Sequence, residues 1–250
     1  MDLIIQGGRV IDPVSGLDEI TDVGIADGRI AAIGHDLARE HPTAEVRDVR
    51  GRIVTPGLID QHVHVFPGLG NFCLDADRVG VGMGVPTIID AGTSGVTTFE
   101  ISRTAVIDHP NTQTNIVALM DPCAIYLATK DFICHKLHIA GDLRNLDADY
   151  AAEVLERNRD VLRGLKVRAC SAGDDEHKSP FLETAKGVAG DLPVMVHFGR
   201  FPHTRSISAA DTLDALRPGD IVTHCYRGSG GAVDQDGNIL PEFIAAYERG

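Results

Sequence analysis

The chain has 250 residues, 43% of them hydrophobic and 24% charged, which suits a globular protein with one large domain or a large and a small one. Its formal net charge of −13 argues against nucleic acid or an anionic membrane surface as a partner. No apolar run approaches the length of a membrane span, and "MDLIIQGGRVIDP" lacks the pattern of a secretory signal. The five cysteines show no CxxC spacing, so the expectation is reduced thiols in a cytoplasmic protein.

Residues 1–55 read as a small all-β portion. "LIIQGGRVID", "DVGIADGRIAAIG" and "EVRDVRGRIVTPG" are short β-prone runs broken by glycine turns, and Asp27-Gly28 is a two-residue hairpin signal. Nothing in this stretch gathers catalytic residue types. From 56 to 250 the texture changes to apolar runs alternating with helical patterns. The runs are "GLIDQHVHV", "VPTIIDAG", "TNIVALMD", "RGLKVRA", "DLPVMVHFG" and "GDIVTHC". Helices are predicted around Asp75–Met83, Gly95–Asp108, Ala148–Val161, Ser179–Ala189 and Ala209–Leu216, the third capped by Asp147 or Asp149 and ended by Gly164. This alternation predicts an α/β fold: a (β/α)8 TIM-type barrel of which six strands are present, following a small β-sandwich portion.

Each run carries reactive polar residues near its C-terminal end: His62 and His64, Asp90, Asp121, Lys166, His197 and His224. A buried charge on a parallel strand needs a partner or a metal, and in a barrel these strand ends meet at one mouth. His62 and His64 stand two apart and so share a strand face, with Asp60 one step deeper as a group that could orient an imidazole. Imidazole nitrogens suit Zn²⁺. Lys166 would be an ammonium buried between Leu165 and Val167. Burial favours the neutral amine, which can react with CO₂ to give an anionic carbamate able to bridge two metal ions. The alternative is an ion pair with Asp121 or Asp90. Arg168, on the same face as Lys166, is a candidate for holding a substrate carboxylate or, equally, for pairing with Asp121. Cys170, Cys225 and Tyr226 read as pocket lining, "YRGSGG" as a mobile active-site loop, and His203 as a surface or loop residue that could reach the pocket because it follows the fifth run.

The stations "DQHVHV", "GLKVRA", "VMVHFG" and "IVTHCY", in that order, resemble the amidohydrolase superfamily of metal-dependent hydrolases, and "DRVGVGMGVPTIIDAGTSG" is similar to its dihydroorotase-like amidohydrolase/deacetylase subgroup. The resemblance implies two divalent metal ions, Zn²⁺ first among them, held by His62, His64, N-carboxylated Lys166, His197 and His224. It implies hydrolysis of a non-peptide amide, a cyclic amide or a related ester in a small-molecule substrate, with a homo-oligomer among the assemblies open to such a chain.

The same resemblance places a metal-binding, proton-transferring aspartate at the end of an eighth strand. The chain stops at "PEFIAAYERG" after six runs, and Asp234 and Asp236 in "GAVDQDGN" do not replace that residue. The expectation is a C-terminally truncated member, with a non-catalytic protein acting through assembly as the rival reading.

Overall fold

The computed structural model describes residues 1–70, 72–125, 141–171, 175–199, 205–226 and 231–250. The chain divides into two compact units, Met1–Leu58 and Ile59–Gly250.

The first unit is one five-stranded mixed sheet of β1 (Leu3–Asp12), β2 (Leu17–Ala26), β3 (Arg29–Gly34), β4 (Glu45–Asp48) and β5 (Ile53–Val54). Strands β1–β3 form an antiparallel meander, while β4 and β5 run parallel to β1. The β2–β3 hairpin turns on Asp27 (φ +50°) and Gly28 (φ +71°), the paired left-handed conformation that a tight hairpin requires.

The second unit holds a six-stranded parallel sheet in the order β11-β10-β9-β8-β7-β6, which is the chain order reversed. The strands are β6 (Ile59–Val63), β7 (Thr87–Gly95), β8 (Asn115–Asp121), β9 (Leu162–Arg168), β10 (Val194–His197) and β11 (Ile221–Thr223), and they coincide with the six apolar runs read from the sequence. The sheet curls far enough for His62, at one edge, to hydrogen-bond Thr223 at the other (2.5 Å). This is a part-barrel, and it agrees with the barrel architecture expected.

Alternation along the strands sorts the core. Ile88, Ile116, Ala118, Leu165, Val167, Val194 and Val196 join the large buried cluster that also takes in the helices. Ile89, Ala91, Leu119, Met195 and Ile221 form a second, smaller cluster on the opposite face of the sheet. That second layer is apolar. One strand step beyond it stand Asp121, His197 and Thr223, so the polar residues lie above an apolar floor.

Four α-helices of seven residues or more are present among the described residues: α1 (Ala148–Arg157), α2 (Pro180–Ala189), α3 (Ala209–Ala215) and α4 (Pro241–Arg249). Asp147 caps α1 by accepting from the Tyr150 amide (3.1 Å), Ser179 caps α2 through Leu182, and Ser208 caps α3 through Asp211. Gly164 does not end α1, which stops at Asn158; it lies inside β9. A side chain there would drive into the Pro193 carbonyl of β10's approach and reach within 3.1 Å of Leu119 Cδ2. The helix expected over Gly95–Asp108 starts only at Phe99, because β7 continues through Gly95. It then widens into a π-helical turn over Arg103–Ile107. Over Asp75–Met83 the chain forms one short turn, Ala76–Val79, and a 3₁₀ turn, Val81–Met83. No helix among the described residues is long and apolar enough to cross a membrane.

Candidate metal centre

The histidines at the C-terminal ends of β6, β10 and β11 form a chain of ring contacts. His62 lies 5.4 Å from His64 and 4.8 Å from His224, ring centroid to centroid, and His224 lies 4.4 Å from His197. Strand register explains the assembly. Arg168 pairs with His197 across β9 and β10, and His197 pairs with Thr223 across β10 and β11. His224 joins for a different reason. In a regular strand it would point away from its neighbour Thr223, but its backbone is left-handed (φ +68°), which turns the ring back toward the others. Non-glycine residues held in this region store strain, and such positions concentrate at functional sites.

Burial pushes the pKa values of His62 and His64 down to about 3, with the positive charges of Lys166 and Arg168 and the neighbouring histidines adding to the effect. Both rings are therefore neutral at pH 7 and have lone pairs to offer. Their Nδ1 atoms face hydroxyls: Thr223 Oγ1 for His62 and, at 2.7 Å, Thr93 Oγ1 for His64. The Asp60 carboxylate accepts from the His62 backbone amide (3.0 Å).

Lys166 is 2% exposed. Its ammonium makes one hydrogen bond among the described residues, a 3.3 Å contact to the Ala91 carbonyl, and no ion pair within 4.0 Å. Burial pulls its pKa down to about 8 against the attraction of Asp121 and Asp90. The stem fits because residue 92 is glycine. Gly92 has φ +78°, and a Cβ there would press on the Lys166 Cβ and lie 2.7 Å from its Cγ. Arg168 Nη1 lies 3.5 Å from Asp121 Oδ2, both side chains being almost fully buried. Burial raises the Asp121 carboxyl, and the Arg168 charge works against that rise.

The geometry brings His62, His64, His197 and His224 together, with Lys166 and Arg168 close enough to act electrostatically on the first pair. Among the described residues, no three His, Cys, Asp or Glu side chains are closed around a point as they would be around an ion. The donor chemistry nevertheless fits a divalent ion: the neutral imidazoles of His62 and His64, beside a buried lysine that has no ion pair within 4.0 Å among the described residues. Cys170 belongs to the helix-side core, and Tyr226 is almost fully exposed. His203 and Arg227–Gly230 of the expected loop lie outside the described residues. Sequence reasoning missed Thr93 and Thr223. Thr93 follows Asp90 at the spacing of a side-chain-closed turn, a signal that was available; Thr223 carried none.

No family model matches the chain. A deacetylase of Agrobacterium fabrum is 31% identical over 224 residues, covering 88% of this chain and 52% of that protein. A dihydroorotase of Citrifermentans bemidjiense is 54% identical over 70 residues, 28% of this chain and 16% of its own. The crystal structure of a dihydroorotase superposes with a TM-score of 0.77 at 27% identity, covering 99% of this chain and 62% of that one. The chain thus spans about half the length of that deacetylase.

Proposed function

We propose, from the premise that the chain belongs to the amidohydrolase superfamily, that it carries most of the active site of a metal-dependent hydrolase. The substrate would be a small molecule with a non-peptide amide, a cyclic amide or a related ester. The observation that carries this reading is the convergence of His62, His64, His197 and His224 from three strand ends, with the buried Lys166 close enough to act electrostatically on His62 and His64.

His62, His64, His197, His224 and Lys166 would hold two divalent ions, Zn²⁺ in our reading. When bound, such ions supply Lewis acidity, lowering the pKa of an attacking water and polarising the scissile carbonyl. The protein's own contribution begins at Lys166. With its pKa near 8, about a tenth of the side chain is free amine at pH 7. The Nζ lone pair can then attack the carbon of CO₂ and release a proton, leaving a carbamate whose two oxygens are anionic donors. The neutral rings of His62 and His64 present lone pairs without first losing a proton. Arg168, paired to Asp121, adds positive charge on the same face and is our candidate for a substrate carboxylate. No observation favours the non-catalytic reading.

Reconstitution with Zn²⁺ and ¹³C-bicarbonate tests the proposal. It predicts close to two ions per chain and a carbamate ¹³C resonance that disappears in Lys166→Ala. Absence of both zinc and the resonance after reconstitution would end the two-metal reading. A screen of N-acyl amino acids, hydantoin-like rings and acyl esters then addresses the substrate.

A further inference from the structure

Beyond the ligand set, the structure shows what stands behind one of its members. Asp90 and Thr93 are both fully buried. The irregularity between Ala91 and Gly95, where β7 slips register against β8, folds Thr93 back over Asp90. Asp90 Oδ1 accepts from the Thr93 amide (2.8 Å), and Oδ2 accepts from the Val65 amide (2.9 Å) and from the Thr93 hydroxyl (2.7 Å). Thr93 Oγ1 in turn meets His64 Nδ1 at 2.7 Å.

We propose that Thr93, anchored by Asp90, is a positioning residue that fixes His64 in the Nδ1–H tautomer and so presents Nε2 as the metal-binding atom; this rests on the metal reading above. The proton count leads there. A threonine hydroxyl has one proton and two lone pairs. That proton goes to a carboxylate already accepting from two amides. Asp90 takes three donors and gives none, the pattern of an acceptor-only carboxylate, and those bonds work against the rise in its pKa that burial imposes. Thr93 Oγ1 then has only lone pairs to turn to His64, so Nδ1 must donate. Cys73, also within reach of Thr93, is held protonated by burial and by Asp90, its pKa raised to about 11. A thiol is a weak acceptor and does not draw the hydroxyl proton from a carboxylate. His62 is not constrained in this way: Thr223 has no second hydroxyl partner among the described residues, so its contact leaves the tautomer open. Carboxylate-backed donors behind a ligating histidine fix ring orientation and raise the basicity of the free nitrogen. Here a hydroxyl relays the carboxylate.

The test is a long-range ¹H–¹⁵N correlation spectrum of the metal-free chain at pH 7, with His64 identified by its loss in His64→Gln. The expected result is one tautomer, Nδ1–H, in the wild type and in Thr93→Ser. In Thr93→Val, which keeps the shape and removes the hydroxyl, a mixture with Nε2–H should appear. Zn²⁺ titration should show an affinity about 10–100-fold weaker for Thr93→Val, restored in Thr93→Ser. An Nε2–H signal for wild-type His64, or an unchanged tautomer in Thr93→Val, overturns the relay. A wild-type chain with the Nδ1–H tautomer but no zinc affinity overturns the metal assignment and leaves the tautomer assignment standing.

Discussion

Replacing Gly92 by alanine adds one methyl group and should cost far more than a methyl ordinarily does. Two terms contribute. The backbone at φ +78° sits in the left-handed region, where a Cβ costs about 1–2 kcal/mol. The new carbon would also press on the Lys166 stem, 2.7 Å from Cγ and closer to Cβ. Overpacking of this kind costs about 1–3 kcal/mol. The sum, about 2–5 kcal/mol, is a large part of the ~5–15 kcal/mol that holds a typical domain folded. Urea unfolding followed by circular dichroism would read it as a lower midpoint at unchanged slope. The geometry also predicts a pattern of relief. Lys166→Ala keeps the Cβ that makes the nearest contact, so Gly92→Ala should remain as damaging in that background. Lys166→Gly removes that contact, and the double variant should be less destabilised than the sum by about 1–3 kcal/mol. If Gly92→Ala unfolds within 0.5 kcal/mol of wild type (about the effect of an inert surface change), or if Lys166→Ala relieves it as well as Lys166→Gly, the packing argument is wrong.

Acid should destabilise the metal-free chain. His62 and His64 titrate near 3 when folded and near 6.5 when unfolded, so the unfolded chain takes up protons first and stability falls between about pH 6.5 and 3. Asp90, raised to about 6, works the other way between 6 and 4. With the part-exposed histidines discounted for solvent screening, the net loss from pH 7 to pH 5 is about 1–3 kcal/mol; a urea midpoint that rises over this range would contradict it. Asp121→Ala removes the carboxylate that faces the buried Arg168 charge and should cost about 3–5 kcal/mol in the same assay, against a surface-like change if the pair were solvated. Ser179→Ala removes the cap of α2 and should cost about 1 kcal/mol, with Ser179→Asp close to neutral; equal loss in both would discount the cap.

The part of the site that follows from strand alternation was readable in advance. His62 and His64 share a face because they stand two apart, and Lys166 is conspicuous because its neighbours are apolar. The six strands were legible for the same reason: apolar runs of the right length punctuated by glycine and proline. What the pattern hides is whatever breaks alternation. His224 is adjacent to Thr223, so a strict strand would separate them; only a left-handed backbone at His224 sends both side chains to one place. Thr93 is reached through an irregular stretch of β7 whose register no period reveals. Gly164 shows the same limit from the other side. Read locally, it is a helix terminator, but its lack of a side chain answers to the Pro193 carbonyl 29 residues on, a constraint invisible until the sheet is assembled.

The hydrogen bond from His62 to Thr223 joins residues 161 apart in the chain. Closing a loop of that length costs about 4–5 kcal/mol of chain entropy by the logarithmic rule, before any contact returns it. The neighbouring His64–His62–His224–His197 ring chain depends on the same closure, so its geometry should form late in folding, after the local strand pairs. A ligand gripping both ends of that row would act as a reversible cross-link between the first and last strands of the sheet. The melting temperature of the whole Ile59–Gly250 unit should then rise with the logarithm of free ligand concentration, although only a few side chains at one mouth touch it.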